Sequence, residues 1–346
     1  MLLRAQTEIW ENEFLSEFAS HSSRSQGRKV KEEPCSLRTE FQKDRDRIIH
    51  SLYFRLLKNK TQVYLSTTGE RFRTRLSHTI EVSTVGRYIA RALGLNTDLV
   101  EAIALGHDLG HTPFGHVGEE TLEKLTPFKF KHSDQSLRVV EILENKGEGL
   151  NLTSEVKNGI VAHTKGTNSI FTITSENQGA SRRVHTVEGE VVQFADWIAY
   201  INHDVDDAFN MGFITAADLP KSTYDILGHN FQERFVTMVS DVIISSKGQP
   251  HIRMSKKIME ATDELRRFLY DCVYELPQIA KKEEEAREIV KYLYGYYIEN
   301  YDKVLGFMPY LKGVESARGV ADFIASLTDN KAQDIYGSLK GNESDN

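Results

Sequence analysis

Apolar side chains recur at three- and four-residue intervals along most of this chain, a period that an α-helix turns into one continuous buried face. Between 39 and 58 the stripe is Phe41, Ile48, Ile49, Leu52, Tyr53, Leu56 and Leu57. The same spacing returns over 74–93, 98–109, 117–126, 134–146, 154–164 and 188–210, and again around 216–246, 254–276, 278–305 and 315–328. Start signals agree with it: Asn96 or Thr97, Ser133 and Thr153 stand where capping residues belong. One short stretch departs from the period. Over 61–73, Val63-Tyr64-Leu65, then Thr67-Thr68-Gly69-Glu70, then Arg71-Phe72-Arg73 predict a small β-hairpin. The expected fold class is all-α with that hairpin as its β element.

Residues 2–19 space Leu2, Leu3, Ile9, Trp10, Phe14 and Phe18 among acids, which predicts an amphipathic helix docking on the body or on a partner subunit. His21 to Pro34 is polar and charged, as expected of a surface linker or mobile loop. The stretch 164–187 is rich in Thr, Ser, Asn and Gly and is too long for a plain connection, so it reads as a small ribbon or a functional loop. Three regions follow: 1–38 as helix and linker, 39–215 as the core, and 216–346 as extra C-terminal helices packing on it, with 341–346 frayed.

With 43 basic and 50 acidic residues the formal charge is −7, so the surface as a whole does not advertise nucleic-acid binding, although the sequence leaves such contact open. A polyanionic substrate needs a local basic site. Cys35 and Cys272 match no metal or redox spacing, which points to a reducing compartment. Arg4, Glu8, Glu11 and Glu13 interrupt the N-terminus before a signal core forms, and no stretch approaches a membrane span of about 18 apolar residues. These features predict a cytoplasmic protein with no membrane contact.

Five of the 12 histidines (His78, His107, His111, His116 and His132) fall close together, and the densest run is Gly106-His107-Asp108-Leu109-Gly110-His111-Thr112-Pro113-Phe114-Gly115-His116-Val117-Gly118-Glu119. It begins at the end of an apolar helix, where unpaired backbone groups make a natural floor for a polar pocket. His107 and Asp108 are neighbours, with side chains about 100° apart on a helix, so residues from other helices must complete any shared ligand shell. His78 on the 74–93 helix and Asp196 on the 188–210 helix are the partners that stand out. Asp196 is flanked by Val192, Ala195 and Ala199, and a carboxylate facing a core is costly unless paired or bound to metal.

These pieces together resemble the HD superfamily, in its branch of dGTPase-like deoxynucleoside triphosphate triphosphohydrolases. The matching segments are Arg45-Asp-Arg-Ile-Ile-His50, Lys60-Thr-Gln62-Val, Arg73-Thr-Arg75-Leu-Ser-His78, the His107-to-Glu119 run, and Asp196 through Tyr200-Ile-Asn-His-Asp204. A weaker echo is Val320-Ala-Asp322-Phe-Ile-Ala-Ser-Leu-Thr-Asp329. The resemblance implies an HD-domain helical body in which His78, His107, Asp108 and Asp196 ligate one divalent ion. Two imidazoles and two carboxylates suit Mn²⁺, Mg²⁺ or Fe²⁺. It also implies His116 as the acid for the departing 5′-oxygen and Glu119 as the group that orients it. By the same resemblance His111 and His132 are phosphate-side histidines, Arg75 and Lys131 charge partners of a triphosphate, and Gln62, Tyr200 and Asp204 neighbours of the sugar. His163, with His132, is similar to the added ligands of binuclear HD phosphodiesterases, which sets up a rival reading: hydrolysis of a cyclic nucleotide or dinucleotide. The favoured expectation is hydrolysis of dGTP and other dNTPs to deoxynucleoside and tripolyphosphate. The resembling enzymes are commonly homo-oligomers, tetramers or hexamers, activated by a dNTP effector at an interface.

Overall fold

Four helices of this chain begin where a side chain satisfies their first free N–H groups, whereas Thr153 caps without such a bond and Ser133 lies inside its helix. Asn96 accepts from the amides of Asp98 and Leu99, Ser51 from Phe54, Thr186 from Gly189, and Asn230 from Glu233. The computed structural model describes residues 3–62, 73–164 and 183–344. In the first half it holds α1 (Leu3–Phe14), α2 (Glu40–His50), α3 (Leu52–Leu56), α4 (Arg75–Leu93), α5 (Thr97–Gly106), α6 (Gly115–Leu125), α7 (His132–Arg138) and α8 (Ser154–Ala162). In the second half come α9 (Val187–Asn210), α10 (Lys221–Leu227), α11 (Phe231–Ser246) and α12 (Lys256–Leu269), then α13 (Pro277–Glu299), α14 (Tyr301–Phe307), α15 (Ser316–Ser326) and α16 (Asp329–Ser344). The fold class is all-α, and among the described residues β-pairing is limited to isolated bridges. The interior of the expected 61–73 hairpin lies outside the described residues; at its feet Thr61 and Thr74 form one antiparallel bridge. Most of the 164–187 loop also lies outside them. No described helix is long and apolar enough to cross a membrane.

The chain folds into two units that interleave along the sequence. The first takes in the chain as far as Ile48, then His78–His107 and Leu152–Leu276; the second takes in Ile49–Ser77, Asp108–Asn151 and the chain from Pro277 onward. This alternation departs from the order of three consecutive regions expected from the sequence. In the first unit α5 packs on α8 and α9, with Leu99, Ile103, Ile160, Val191 and Ala195 fully buried. In the second, α6 lies along α13, which also packs on α15, around Leu122, Val290, Leu293 and Ile324.

Several expectations are corrected. The 21–34 segment is pinned rather than loose: Ser22 is buried, Gln26 donates its amide to Glu155 at 2.6 Å, and Arg28 pairs with buried Asp44. Helix α1 is shorter than 2–19, and it buries Glu11 while leaving Leu3, Ile9, Trp10 and Phe14 exposed, so its apolar side is not what fastens it here. The expected 216–246 helix is broken after Ala216–Asp218 at Pro220 and again at Gly228, whose φ of 122° no helix accepts. The 134–146 helix gives way to a wider π-type turn at Val139–Leu143 and to left-handed Asn145 and Lys146. Helix α16 was not expected at all, because its residues lack the apolar stripe that betrays the others.

Candidate functional site

Each unit contributes a constellation of titratable side chains. In the first, α4 supplies His78, the end of α5 supplies His107, and α9 supplies Asp196. His78 Nε2 lies 3.0 Å from Asp196 Oδ1, and His107 Nε2 lies 3.9 Å from the same oxygen. His107 Nδ1 is 2.6 Å from the carbonyl of Ala104. A carbonyl only accepts, so Nδ1 carries the hydrogen and the lone pair of His107 sits on Nε2, toward Asp196. His163 repeats the device, with Nδ1 2.7 Å from the Ile160 carbonyl and its ring centre 4.8 Å from that of His107. Burial pushes the Asp196 carboxyl up, but the contact with His78 and the nearby imidazoles of His107 and His163 overcome it and hold the group well below the usual carboxylate range. The result is one ionised carboxylate oxygen faced by two imidazole nitrogens, a donor set that fits a divalent cation.

Behind this group runs a chain of contacts that the sequence reading missed. His78 Nδ1 is 3.1 Å from His203 Nε2, His203 Nδ1 is 2.7 Å from Asp204 Oδ1, and Tyr274 donates its hydroxyl to Asp204 Oδ2. His203 lies seven residues after Asp196, two helical turns on, so its place on the same face of α9 was readable; Tyr274, 70 residues from Asp204, carried no such signal. Asp204 itself, expected beside a sugar, is buried at 1% exposure against His203 and Tyr274. It lies within α9 rather than in a solvated acidic turn. Tyr200 is part-buried on α9, and burial raises its phenol above the ordinary range against the opposing charge of Arg266.

The second unit gathers Gln62, Arg75, Asp108, His111, His116, Glu119 and His132. Arg75 Nη1 donates to Asp108 Oδ2 at 2.9 Å and Nη2 to the Gln62 carbonyl at 3.2 Å. Asp108 Oδ1 is 3.4 Å from His111 Nε2. Gly110 lets the backbone pass hard against α7, since a Cβ there would sit 2.1 Å from the Ser136 nitrogen, and that approach stacks His111 on His132 at 3.9 Å. Glu119 accepts from the His132 amide at 2.9 Å and from His132 Nδ1 at 2.8 Å, with His116 Nδ1 at 3.3 Å. Burial would raise the Glu119 carboxyl, but His132 and the hydrogen bonds from both imidazoles pull it well below its usual value. The ring of His116 stays 67% exposed. His111 is buried and held neutral by that burial, with Arg75 and His132 acting in the same direction. One ligand atom each from His111, His116, Glu119 and His132 fall within 4.8 Å of one another. Lys131, expected to meet a triphosphate, instead pairs with Glu123 at 2.6 Å. Among the described residues, Gln62 Oε1, Arg75 Nε and His111 Nδ1 are buried with no hydrogen-bond partner, a cost that a polar ligand would remove.

Comparison with known proteins gives these two constellations a family. The HD domain matches residues 75–201, and a phosphohydrolase-associated domain matches 252–338. A deoxyguanosinetriphosphate triphosphohydrolase-like protein of Caldanaerobacter subterraneus subsp. tengcongensis is 50% identical over 96% of this chain and 94% of its own. Its namesake in Desulfatibacillum aliphaticivorans is 46% identical over 97% of each. A phosphohydrolase of Bacteroides thetaiotaomicron shares the fold, with a TM-score of 0.52 at 17% identity over 82% of this chain and 65% of that one. At half its residues shared across nearly the full length, the chain belongs to the deoxyguanosinetriphosphate triphosphohydrolase-like family of HD-domain proteins.

Proposed function

We propose that this chain hydrolyses deoxynucleoside triphosphates, dGTP among them, to deoxynucleoside and tripolyphosphate, using one divalent ion held by His78, His107, Asp108 and Asp196. The observation that carries the proposal is the ionised Asp196 carboxylate facing Nε2 of both His78 and His107. Asp108, covalently next to His107 and bridged to Arg75, brings the second carboxylate that a 2+ charge calls for. Mn²⁺, Mg²⁺ and Fe²⁺ suit these donors, and when bound the ion supplies Lewis-acid polarisation and a more acidic water.

The protein's own groups have definable tasks. Arg75 and neutral His111, each with a buried polar atom lacking a partner among the described residues, bind phosphate oxygens as donors. His132, fixed by Glu119, lies against His111 and serves the same side. A water oxygen attacks the α-phosphorus in line and gives up one proton to solvent as the new bond forms, the bond from phosphorus to the 5′-oxygen breaks, and His116 delivers the proton from Nε2 to that leaving oxygen and regains one from the solvent its exposed ring meets. Glu119, accepting at Nδ1, sets which nitrogen of His116 faces the substrate. Gln62 and Tyr200 remain the candidates beside the sugar. Activation by a second dNTP at a subunit interface of a homo-oligomer belongs to the same reading, and the outward apolar side of α1 gives such an interface a surface to use.

Incubation of the protein with each dNTP and Mn²⁺, with and without a second nucleotide, followed by chromatography, tests the assignment. Deoxynucleoside plus tripolyphosphate is expected; monophosphate plus pyrophosphate would move the cleaved bond. The rival, a binuclear phosphodiesterase, draws on His163 beside His107. Two ions per chain and turnover of a cyclic nucleotide would favour it.

A further inference from the structure

The second unit contains a buried carboxylate that touches none of the groups given a task above yet is tied to the elements that carry them. Asp329, at the start of α16, is 9% exposed. Its Oδ1 accepts from the amide of Phe114 at 3.0 Å, and its Oδ2 accepts from the amide and the hydroxyl of Thr61 at 3.0 and 2.5 Å. Both attachment points matter. Phe114 is the residue before α6 and is held left-handed at φ 62°, followed by Gly115 at φ 59°. A bulky residue in that region is strained and persists only where its surroundings over-determine it. His116 and Glu119 occupy the first turn of the helix so launched. Thr61 precedes Gln62, whose carbonyl receives Arg75, which in turn holds Asp108.

The same corner is fastened a second time. Lys60, fully buried, donates from Nζ to the carbonyl of His111 at 2.5 Å and to that of Ala325, at the end of α15, at 2.7 Å. One turn earlier on α15, Asp322 accepts from Gln135 and Arg138 of α7, the helix that begins with His132. The last turns of α15 and the first residue of α16 therefore back the loop of His111, the start of α6 and the start of α7 at once.

We infer that Asp329 is a positioning residue for the hydrolysis, setting the launch angle of α6 and with it the aim of His116, so that the C-terminal region serves the reaction as the clamp of its proton donor. The inference rests on the function proposed above for His116. A shift of about 1 Å in a reacting group can cost on the order of 100-fold in rate, whereas Arg75 keeps its own pairing with Asp108 when the bonds to Thr61 are lost, so substrate binding through Arg75 and the ion should change little.

The test uses the full chain and four proteins: wild type, Asp329→Ala, His116→Ala and the double variant. Asp329→Ala is expected to bind Mn²⁺ as the wild type does, to lose about tenfold to 100-fold in kcat with KM within threefold, and to cost nothing further in the His116→Ala background. Asp329→Asn, able to keep one of the two amide acceptances, should fall between. Amide hydrogen exchange over 113–119 should quicken at least tenfold in Asp329→Ala and stay unchanged on α9. Equal losses in both backgrounds, or an unchanged kcat in a folded Asp329→Ala, would overturn the inference. If Asp329→Ala does not fold, Asp329→Asn carries the same comparisons. If the wild type releases no tripolyphosphate from any dNTP, the proposed function fails by itself; the exchange measurement still decides whether Asp329 holds the 113–119 turn, and unaltered exchange overturns the clamp.

Discussion

His107 and His163 each donate from Nδ1 to the carbonyl three residues back, so their tautomers are set by their own helices. His78 is set differently. Its Nδ1 faces His203 Nε2 at 3.1 Å, with His203 Nδ1 2.7 Å from Asp204 Oδ1, and a hydrogen on His78 Nδ1 puts the His78 lone pair on Nε2, where an ion would sit. Partners of this kind typically govern affinity by tenfold to 100-fold. His203→Ala is therefore expected to weaken Mn²⁺ binding by about that factor in a competition titration, with His203→Gln, which can still accept, between the two. Unchanged affinity in His203→Ala would mean that Asp196 alone orients the ring. A different residue answers for the rate: His116→Ala should keep its metal and lose about 100-fold to 10,000-fold in kcat, the usual weight of a general acid. Full turnover in that variant would move the proton to another donor.

Among the elements, α9 shows how burial and charge compete. Glu188, in its first turn, is fully buried and accepts from the amides of Ser20 and Asn96 at 2.8 and 3.1 Å and from the Ser20 hydroxyl at 2.9 Å. Burial raises its carboxyl above the ordinary value, and the hydrogen bonds from Ser20 and Asn96 only partly offset this. A raised folded-state value means the native protein holds the proton more tightly than the unfolded chain does. The stability from Glu188 is thus fully present below its unfolded value of 4.5 and is lost as pH rises through the raised one. Glu188→Gln, neutral at every pH, should compare better with the wild type at pH near 8 than near 5 when melting temperatures are measured at both; an equal gap at the two pH values would show that the carboxyl does not titrate in this range. The Asn96 cap that receives this network was readable in the sequence, as were the long apolar helices around it. Pro220 and Gly228 were also visible as breakers, yet a continuous apolar pattern across them masked the breaks. The burial of Glu11 in place of Trp10 and Phe14 on α1 was not readable, because its carboxylate answers Ser22 and Asn96, a pairing that helical periodicity does not encode.

At the scale of the whole molecule, what the sequence leaves hidden is mainly long-range: Asp329 reaches Thr61 across 268 residues and Glu188 reaches Ser20 across 168, and nothing local marks either pairing. The ordered histidines and acids were legible because they sit on strongly patterned helices or, like Asp108 and His111, in the turn that follows one, so the family and the ligand candidates could be read while the interleaving of the two units could not. That interleaving bears on stability. In the first unit His78, His107 and Asp196 come from α4, the end of α5 and the distant α9, three separate helices, and an ion held by them binds the folded protein and not the unfolded chain. At a metal concentration 100 times Kd the gain is about 2.7 kcal/mol, and in a chain of this size that is a shift of a few degrees in melting temperature. Chelation should therefore lower the melting temperature by that amount, added Mn²⁺ should restore it, and Asp196→Asn should melt at one temperature under both conditions. A wild-type protein whose melting ignores both chelator and Mn²⁺, while elemental analysis finds no ion bound, would remove the cation from these three helices.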